Sequence, residues 1–408
     1  MTRDLEHPTY GPAAYIVPTP CNWQDIANLV KNNPAGVGAN STTQIVNGEQ
    51  LSVEEKLLIQ RAFHNCSKID LVPLFNGMSG VPAYRVYAEL QGNVIPSRWP
   101  YVYFVKLGNR QDIEKEYYNY RETAVGHVPF HLGPRLKLDR CALGYQHGIL
   151  VSDFVTGAET LKDCARDGRA ATAVGNLFST TIASWRSGAR PEERNLADYL
   201  IPYLPTEVPP HRRDLMVHLG AALDLDALKT QLQSIRSQPV LTGVIHGDLH
   251  ATNVLVRGSD AIIIDFEKIE LNMPILLDAA TVEAGLFVDG FIGDRRSGTA
   301  VLESVKDLYS VAAINGELFA CHPKDDSSWF FDCVRQIRMH ARAMELNPDQ
   351  YALTLACVLA KKACKNEVLA SENQEPSRLS REEVRALAMV LAELIFGALF
   401  SGRKQSSC

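Results

Sequence analysis

The sequence predicts an α+β fold of two lobes, a small lobe on an antiparallel sheet and a large, mainly helical lobe. Three observations predict it. Residues 244–267 hold two short apolar runs separated by a turn signal, with His246, Asp248, Asn253 and Asp265 at their ends. Ahead of them, between residues 69 and 153, β-branched and aromatic runs alternate with Gly- and Asn-containing turns. Behind them, from residue 278 onward, apolar residues recur at helical spacing almost to the end. The implied organisation is an N-terminal extension (residues 1–51), a small lobe with a leading helix (52–153) and a helical lobe that carries the hairpin (154–408).

Composition bounds the function. The 408 residues are 46% apolar and 22% charged, ordinary for a soluble globular protein and enough for one large bilobal enzyme. A formal net charge of −6 argues against a general nucleic-acid binder, which carries a basic stripe. Residues 1–20 lack a basic start followed by an apolar core, so no signal peptide is expected. The nine cysteines are scattered without a C-x-x-C pair. That pattern suits free thiols in a reducing compartment, the cytoplasm, better than disulfides or zinc. Cys321 and His322 are adjacent rather than spaced as ligands.

Residues 1–48 hold several Pro, Gly and Asn and one candidate helix over 23–31. Ser52 then opens a clear helix, with Glu55 three residues on as a capping box requires. Residues 69–75 and 81–90 read as strands around the turn Asn76-Gly-Met-Ser-Gly80. Gly77 and Gly80 allow a close backbone approach to phosphate, and Ser79 can add a hydroxyl. Taken alone, the turn reads better as a plain hairpin, but its place upstream of a lysine-bearing strand reverses that preference. Residues 99–107 form an aromatic and β-branched strand with Lys106 near its end. A charge there is costly unless paired. The next helix, over 110–122, offers Glu114 and Glu116 as partners. Glu116 is preferred because it borders the apolar face of Ile113, Tyr117 and Tyr120. Residues 133–138 read as another strand, and 147–153 as a fifth that ends at Asp153.

The large lobe begins with helices over 161–168 and 170–185. A breaker-rich connection over 191–210 follows, then helices over 212–219 and 227–237. The last helices are expected over 301–320, 328–346, 351–366 and 381–400. The final one is apolar, but Arg385 and Glu393 interrupt it, so a core helix is expected rather than a membrane span.

The chemistry lies in the hairpin. Its letters are H-G-D-L-H-A-T-N over residues 246–253 and I-D-F-E over 264–267. An Asp that orients a hydroxyl and takes its proton, an Asn and a second Asp with oxygen donors for Mg²⁺ are the parts of metal-assisted phosphoryl transfer. The spacing matches H-R-D-x-x-x-x-N followed by D-F-G, with two letters changed. Either half alone is weak, because Asp and Asn are common in turns. His246 reads as a buried brace. His250 reads as a loop residue bonded to backbone, ahead of any acid–base role.

With Gly247 in place of Arg, the stretch resembles the aminoglycoside phosphotransferase and choline kinase branch of the protein-kinase-like fold. The later Asp278-Ala-Ala looks like the Asp-Leu-Ala motif of that branch, and Asp278 also reads as a helix N-cap. Residues 71–80 with 278–283 are also similar to uncharacterised bacterial phosphotransferase-like domains, including ones predicted in multi-protein systems. The resemblance covers roughly residues 69–283. It implies ATP and Mg²⁺ as cofactors and a bilobal kinase-like fold. It implies phosphates under Gly77, Ser79 and Gly80 and against Lys106 and Glu116. It also implies adenine at the inter-lobe hinge near Asp153, a metal on Asn253 and Asp265, and Asp248 as catalytic base. The missing Arg and the missing Ala-Pro-Glu motif imply a kinase not switched by a phosphorylated activation loop.

The expected reaction is transfer of the γ-phosphate to a hydroxyl of a small molecule, with no nucleic-acid or membrane partner. Glu267, Glu270, Asp278 and Glu283 fit a cationic acceptor, and equally a metal site and helix caps. Three rivals share the fold: a protein-directed kinase, an AMP transferase, and a nucleotide-binding pseudokinase acting as an interaction module.

Overall fold

The computed structural model describes residues 6–7, 11–12, 22–24, 38–74, 81–92, 100–235, 238–316, 327–366 and 378–401. The chain forms two compact units, residues 1–126 with 134–156, and residues 127–133 with 157–408.

In the first unit, β1 (Gln44–Val46), β2 (Cys66–Pro73), β3 (Ala83–Leu90), β4 (Tyr101–Asn109), β5 (Ala142–Leu143) and β6 (His147–Asp153) make one sheet. The order is β1-β2-β3-β4-β6-β5. Period-two burial builds the core: Ile69 and Leu71 on β2, then Tyr84, Val86 and Ala88 on β3, point inward. The sequence predicts an antiparallel sheet, and the structure departs from this at one edge, where β1 runs parallel to β2. Helix α1 (Val53–Ala62) lies between them in the chain and supplies the crossover that a parallel pair needs. The capping box at Ser52 and Glu55 is present. Leu58, Ile59 and Ala62 bury the helix against the sheet.

Residues 133–138 do not form the expected strand and keep one bridge, Leu136 to Ser152. Pro134 removes a ladder donor. A turn then closes where Arg140 N donates to Lys137 O at 2.7 Å. Buried Arg140 donates to Ala62 O and sits 5.3 Å from the rings of both Phe63 and Tyr103. The candidate helix over 23–31 is described only at 22–24, where Trp23 and Gln24 are helical. Gly77, Ser79 and Gly80 lie outside the described residues.

In the second unit, β7 (Glu159–Thr160), β10 (Val254–Arg257) and β11 (Asp260–Ile263) form one small sheet. The other small sheet is β8 (Arg190–Glu192), β9 (Val240–Ile245) and β12 (Glu270–Pro274). The expected hairpin is β10–β11, paired from Val254↔Ile263 to Arg257↔Asp260.

The helix expected over 170–185 is broken. Ala171–Asn176 runs into a wide π turn, Leu177–Thr181, and helix resumes at Ala183–Ser187. Thr181 Oγ1 donates to Ala261 O at 2.6 Å, and Ile182 leaves helical geometry at φ −107°. Tertiary bonding to the hairpin overrides local propensity there. The connection before β9 holds Leu196–Leu200, a 3₁₀ turn Ile201–Tyr203, α3 (Pro210–His218) and α4 (Leu225–Gln233). The helix expected over 301–320 is Gly298–Val305, a 3₁₀ turn, then Val311–Ile314 restarted by the Ser310 cap.

Among the described residues, four long helices finish this unit. Each residue of α5 (Leu276–Gly290) is buried. Helices α6 (Ser328–Arg342) and α7 (Gln350–Cys364) pack on it, and α8 (Arg381–Ser401) packs on α7. At 21 residues, with mean hydropathy 1.9 over its most apolar 18, α8 has the length and composition of a span, yet 61% of that window is buried within the protein. Burial against α7 accounts for that composition.

A fully buried ion pair crosses this core. Arg338 Nη2 and Nε donate to the two Glu283 oxygens at 2.6 and 3.1 Å. Tyr351 Oη donates to Glu283 at 2.8 Å, and Arg338 Nη1 to Leu308 O at 2.6 Å.

Candidate active site

The first unit presents Lys106 and Glu116. Lys106 sits on β4 opposite Ala83 and Leu150. Asn109 caps α2 (Arg110–Asn119), accepting from Gln111 N at 2.9 Å, and so starts the helix just after the lysine strand. Ile113 and Tyr117 anchor α2 in the core. Gly148 permits this packing, since a Cβ there would meet Ile113 at 2.7 Å. Lys106 Nζ then reaches Glu116 Oε2 at 2.7 Å, both groups buried. The sequence preference for Glu116 over Glu114 is realised.

Asp153 ends β6. Its carboxylate pairs with Lys137 at 2.8 Å, and its N–H donates to Arg135 O at 3.1 Å. Its carbonyl accepts from Ser152 Oγ at 3.4 Å.

The second unit holds the hairpin residues. Strand β9 delivers the chain to His246, which is fully buried. Its Nε2 lies 3.0 Å from Ile264 O, and a carbonyl only accepts, so Nε2 carries the proton. The backbone N–H groups of His246 and Gly247 donate to the two Asp278 oxygens at 2.8 and 3.2 Å. Asp278 is therefore not an N-cap. It lies inside α5 and clamps the loop. Burial pushes its carboxyl up to about 6, opposed by nearby His246 and by those two N–H bonds.

Gly247 adopts φ +77°, and a Cβ there would lie 2.1 Å from Lys268 O. Gly247→Ala is expected to cost about 1–3 kcal/mol in backbone strain. Thermal unfolding reads this, and a variant as stable as wild type contradicts the close approach.

Asp248 keeps its carboxylate 40% exposed. Its carbonyl, not its carboxylate, holds the loop, accepting from His250 N at 2.8 Å and Asn253 Nδ2 at 3.0 Å. Asn253 spends its amide nitrogen this way and keeps Oδ1 as an oxygen donor. Ile264 N donates to Asn253 O at 3.0 Å. With His246 on its carbonyl, Ile264 is fixed on both sides, and Asp265 follows it in left-handed geometry at φ +66°.

Asn253 and Asp265 supply two hard oxygen donors. That set fits Mg²⁺, which takes one or two protein oxygens and completes its shell with phosphates and water. Among the described residues no cluster of three or more His, Cys, Asp or Glu could hold a metal by itself.

His250 bonds a side chain rather than the backbone expected of its ring. Its Nδ1 is 2.8 Å from Thr252 Oγ1, and its Nε2 is 3.8 Å from Asp248 Oδ2. Burial, then the Lys362 charge, push it down to about 4, which leaves the ring neutral near pH 7. Gly285 on α5 seats it, since a Cβ there would be 3.1 Å from His250 Cβ.

Tyr203 and Lys361 were not singled out from the sequence. Lys361 Nζ lies 3.9 Å from the Tyr203 ring centroid. The two residues are far apart in the chain, so no local pattern marks them. A cavity of about 360 Å³, lined by Trp185, Arg190, Thr242 and Asn272 among others, lies against β9 and β12 and includes none of the predicted site residues.

Residues 98–281 match the family model described as phosphotransferase enzyme family, and residues 214–366 match ternary complex associated domain 9. The phosphotransferase match spans the segment with Lys106, the loop and Asp278, in agreement with the resemblance read from the sequence.

Solved structures similar to the chain include an amicoumacin kinase, hAmiN, in complex with AMP-PNP, Ca²⁺ and Ami. It is 12% identical, with 80% of this chain and 87% of that one covered and a TM-score of 0.41. A glucosamine kinase in complex with glucosamine, ADP and inorganic phosphate is 12% identical, with 88% of each chain covered and a TM-score of 0.42. A thermostable mutant of aminoglycoside phosphotransferase APH(4)-Ia, in its apo form, is 14% identical, with 72% and 93% covered and a TM-score of 0.38. No curated protein sequence matches the chain.

Proposed function

We propose that the chain is an ATP- and Mg²⁺-dependent phosphotransferase that moves the γ-phosphoryl group to a hydroxyl of a small molecule. The observation that carries this reading is the use of bonds in the loop over 246–253. Backbone groups and Asp278 hold the loop, while the Asp248 carboxylate stays 40% exposed and Asn253 bonds the loop through its amide nitrogen rather than Oδ1. A loop serving only as a turn has no need of a buried carboxylate clamp, because the clamp costs desolvation.

Each residue then has a role. Asp248 orients the acceptor hydroxyl and takes its proton. Asn253 Oδ1 and the Asp265 carboxylate would hold the metal, which when bound would supply charge neutralisation for the transferring group. Lys106, oriented by Glu116, meets the nucleotide phosphates. His246 holds Ile264, and with it the start of the Asp265 turn. Six described cysteines are free, five of them buried, and this favours work in a reducing cytoplasm.

The test is calorimetric titration of MgATP into wild type and Asp265→Ala. Loss of a mere supporting partner weakens metal affinity about 10–100-fold, so loss of a ligand should weaken the Mg-dependent part at least that much. Wild type that fails to bind MgATP, or a variant that binds it equally well, rules the reading out.

A further inference from the structure

The loop fixes His250 more firmly than it fixes Asp248. His250 N donates to Asp248 O at 2.8 Å, and Asn253 N donates to His250 O at 2.9 Å, so both backbone groups of His250 are held. Its ring is buried. Beneath it lies Gly285 of α5, where a Cβ would come within 3.1 Å of His250 Cβ and 3.4 Å of Ala251 N. A helix surface bare of a side chain at this point lets the turn sit directly on α5. The Asp248 carboxylate is held by much less. Among the described residues it accepts no hydrogen bond, and His250 Nε2 stands 3.8 Å from its Oδ2. A general base has to point at the proton it removes, and an exposed carboxylate with no partner turns freely.

The tautomer of His250 follows from its two neighbours. Nδ1 is 2.8 Å from Thr252 Oγ1. A hydroxyl donates or accepts, so this bond alone permits either tautomer. The other nitrogen decides. A proton on Nε2 faces the carboxylate with attraction, whereas a bare Nε2 sets two acceptors against each other. Thr252 Oγ1 therefore donates to Nδ1, and Nε2 carries the proton. Burial favours the neutral ring, which makes Nε2–H a donor and not an acid.

We infer that His250 is a positioning residue for Asp248: its Nε2–H takes Oδ2 and leaves Oδ1 directed at the acceptor hydroxyl. The inference rests on the phosphotransferase reading. A small rotation of the exposed carboxylate closes the gap to a hydrogen bond, and such contacts are often long until the reacting complex forms. No proton passes to the ring, and Asp248 still takes the one from the acceptor. The parts stand in reverse order to a Ser-His-Asp triad, in which the carboxylate orients the ring.

The tautomer is read by ¹⁵N NMR of the full chain labelled at histidine, with the His250 signals assigned by their loss in His250→Gln. A protonated Nε2 beside a bare Nδ1 is expected, and a ring protonated at Nδ1 overturns the inference. The role is read by phosphate release from MgATP with water as the acceptor, beside calorimetric MgATP affinity. His250→Asn should slow release about 10–100-fold, the scale of a small misplacement at a reacting group, and keep MgATP affinity. Gln carries an amide N–H at the reach of imidazole Nε2, whereas that of Asn lies at the reach of Nδ1, so His250→Gln should recover most of the rate. Thr252→Val exchanges the hydroxyl for a methyl and should slow release as well. The inference is overturned if Gln is no faster than Asn, if Asn is as fast as wild type, or if the rate falls only as MgATP affinity falls. Failure of wild type to bind MgATP would instead overturn the phosphotransferase reading itself, whatever the tautomer.

Discussion

Asp248→Asn is expected to lower turnover about 10²–10⁴-fold, the usual contribution of a positioned general base, and to leave MgATP affinity nearly unchanged. Both halves follow from the loop geometry. The carboxylate is 40% exposed, and the bonds that hold the loop come from its carbonyl. The substitution therefore leaves His250 N and Asn253 Nδ2 with their partner. Asn has the size of Asp but cannot take a proton. Steady-state phosphoryl transfer and a calorimetric MgATP titration, run on one preparation, separate the two effects. Turnover within tenfold of wild type would remove Asp248 from the role of base. A collapse of nucleotide affinity would show that the residue supports the fold instead.

The second large effect concerns stability. Glu283→Ala leaves Arg338 charged in a core from which both side chains are wholly excluded from solvent. Breaking a buried pair by removing one partner costs about 3–5 kcal/mol. For a unit of this size, about 2–4 °C of Tm accompanies each kcal/mol, so a fall on the order of 6–20 °C is expected. Replacing both residues by apolar ones, Glu283→Leu with Arg338→Met, should recover most of the loss, because no charge is then stranded. Differential scanning calorimetry of the single and double variants decides it. A double variant no more stable than the single would mean that the network matters through Tyr351 and Leu308 rather than through the charge pair.

Legibility followed the range of the interactions. The hairpin could be read because its chemistry is local: Asp248, Asn253 and Asp265 lie within eighteen residues of one another and beside strand-forming runs. The Lys106–Glu116 pair could be read because a ten-residue separation joins a strand to the next helix. The box at Ser52 spans three residues. The Glu283–Arg338 pair, 55 residues apart, leaves no periodic trace, and neither does the meeting of Lys361 with Tyr203. The parallel pairing of β1 depends on where α1 packs, which local propensity does not encode. The broken helix around Leu177–Thr181 is the same case, since a threonine bond to a distant carbonyl outweighs helical preference. Asp278 was visible as a motif letter, but its task depends on two N–H groups more than thirty residues away.

Helix α5 carries three tasks on neighbouring turns. Asp278 clamps the loop, Glu283 neutralises Arg338, and Gly285 makes room for His250. Resistance to heat and rate of turnover are thereby written into the same fifteen residues. An engineer who seeks one property along this helix will disturb the other, a trade-off familiar where activity and packing share a segment. Room to adjust either one alone lies on surfaces such as α1, where Val53 and Leu57 face solvent.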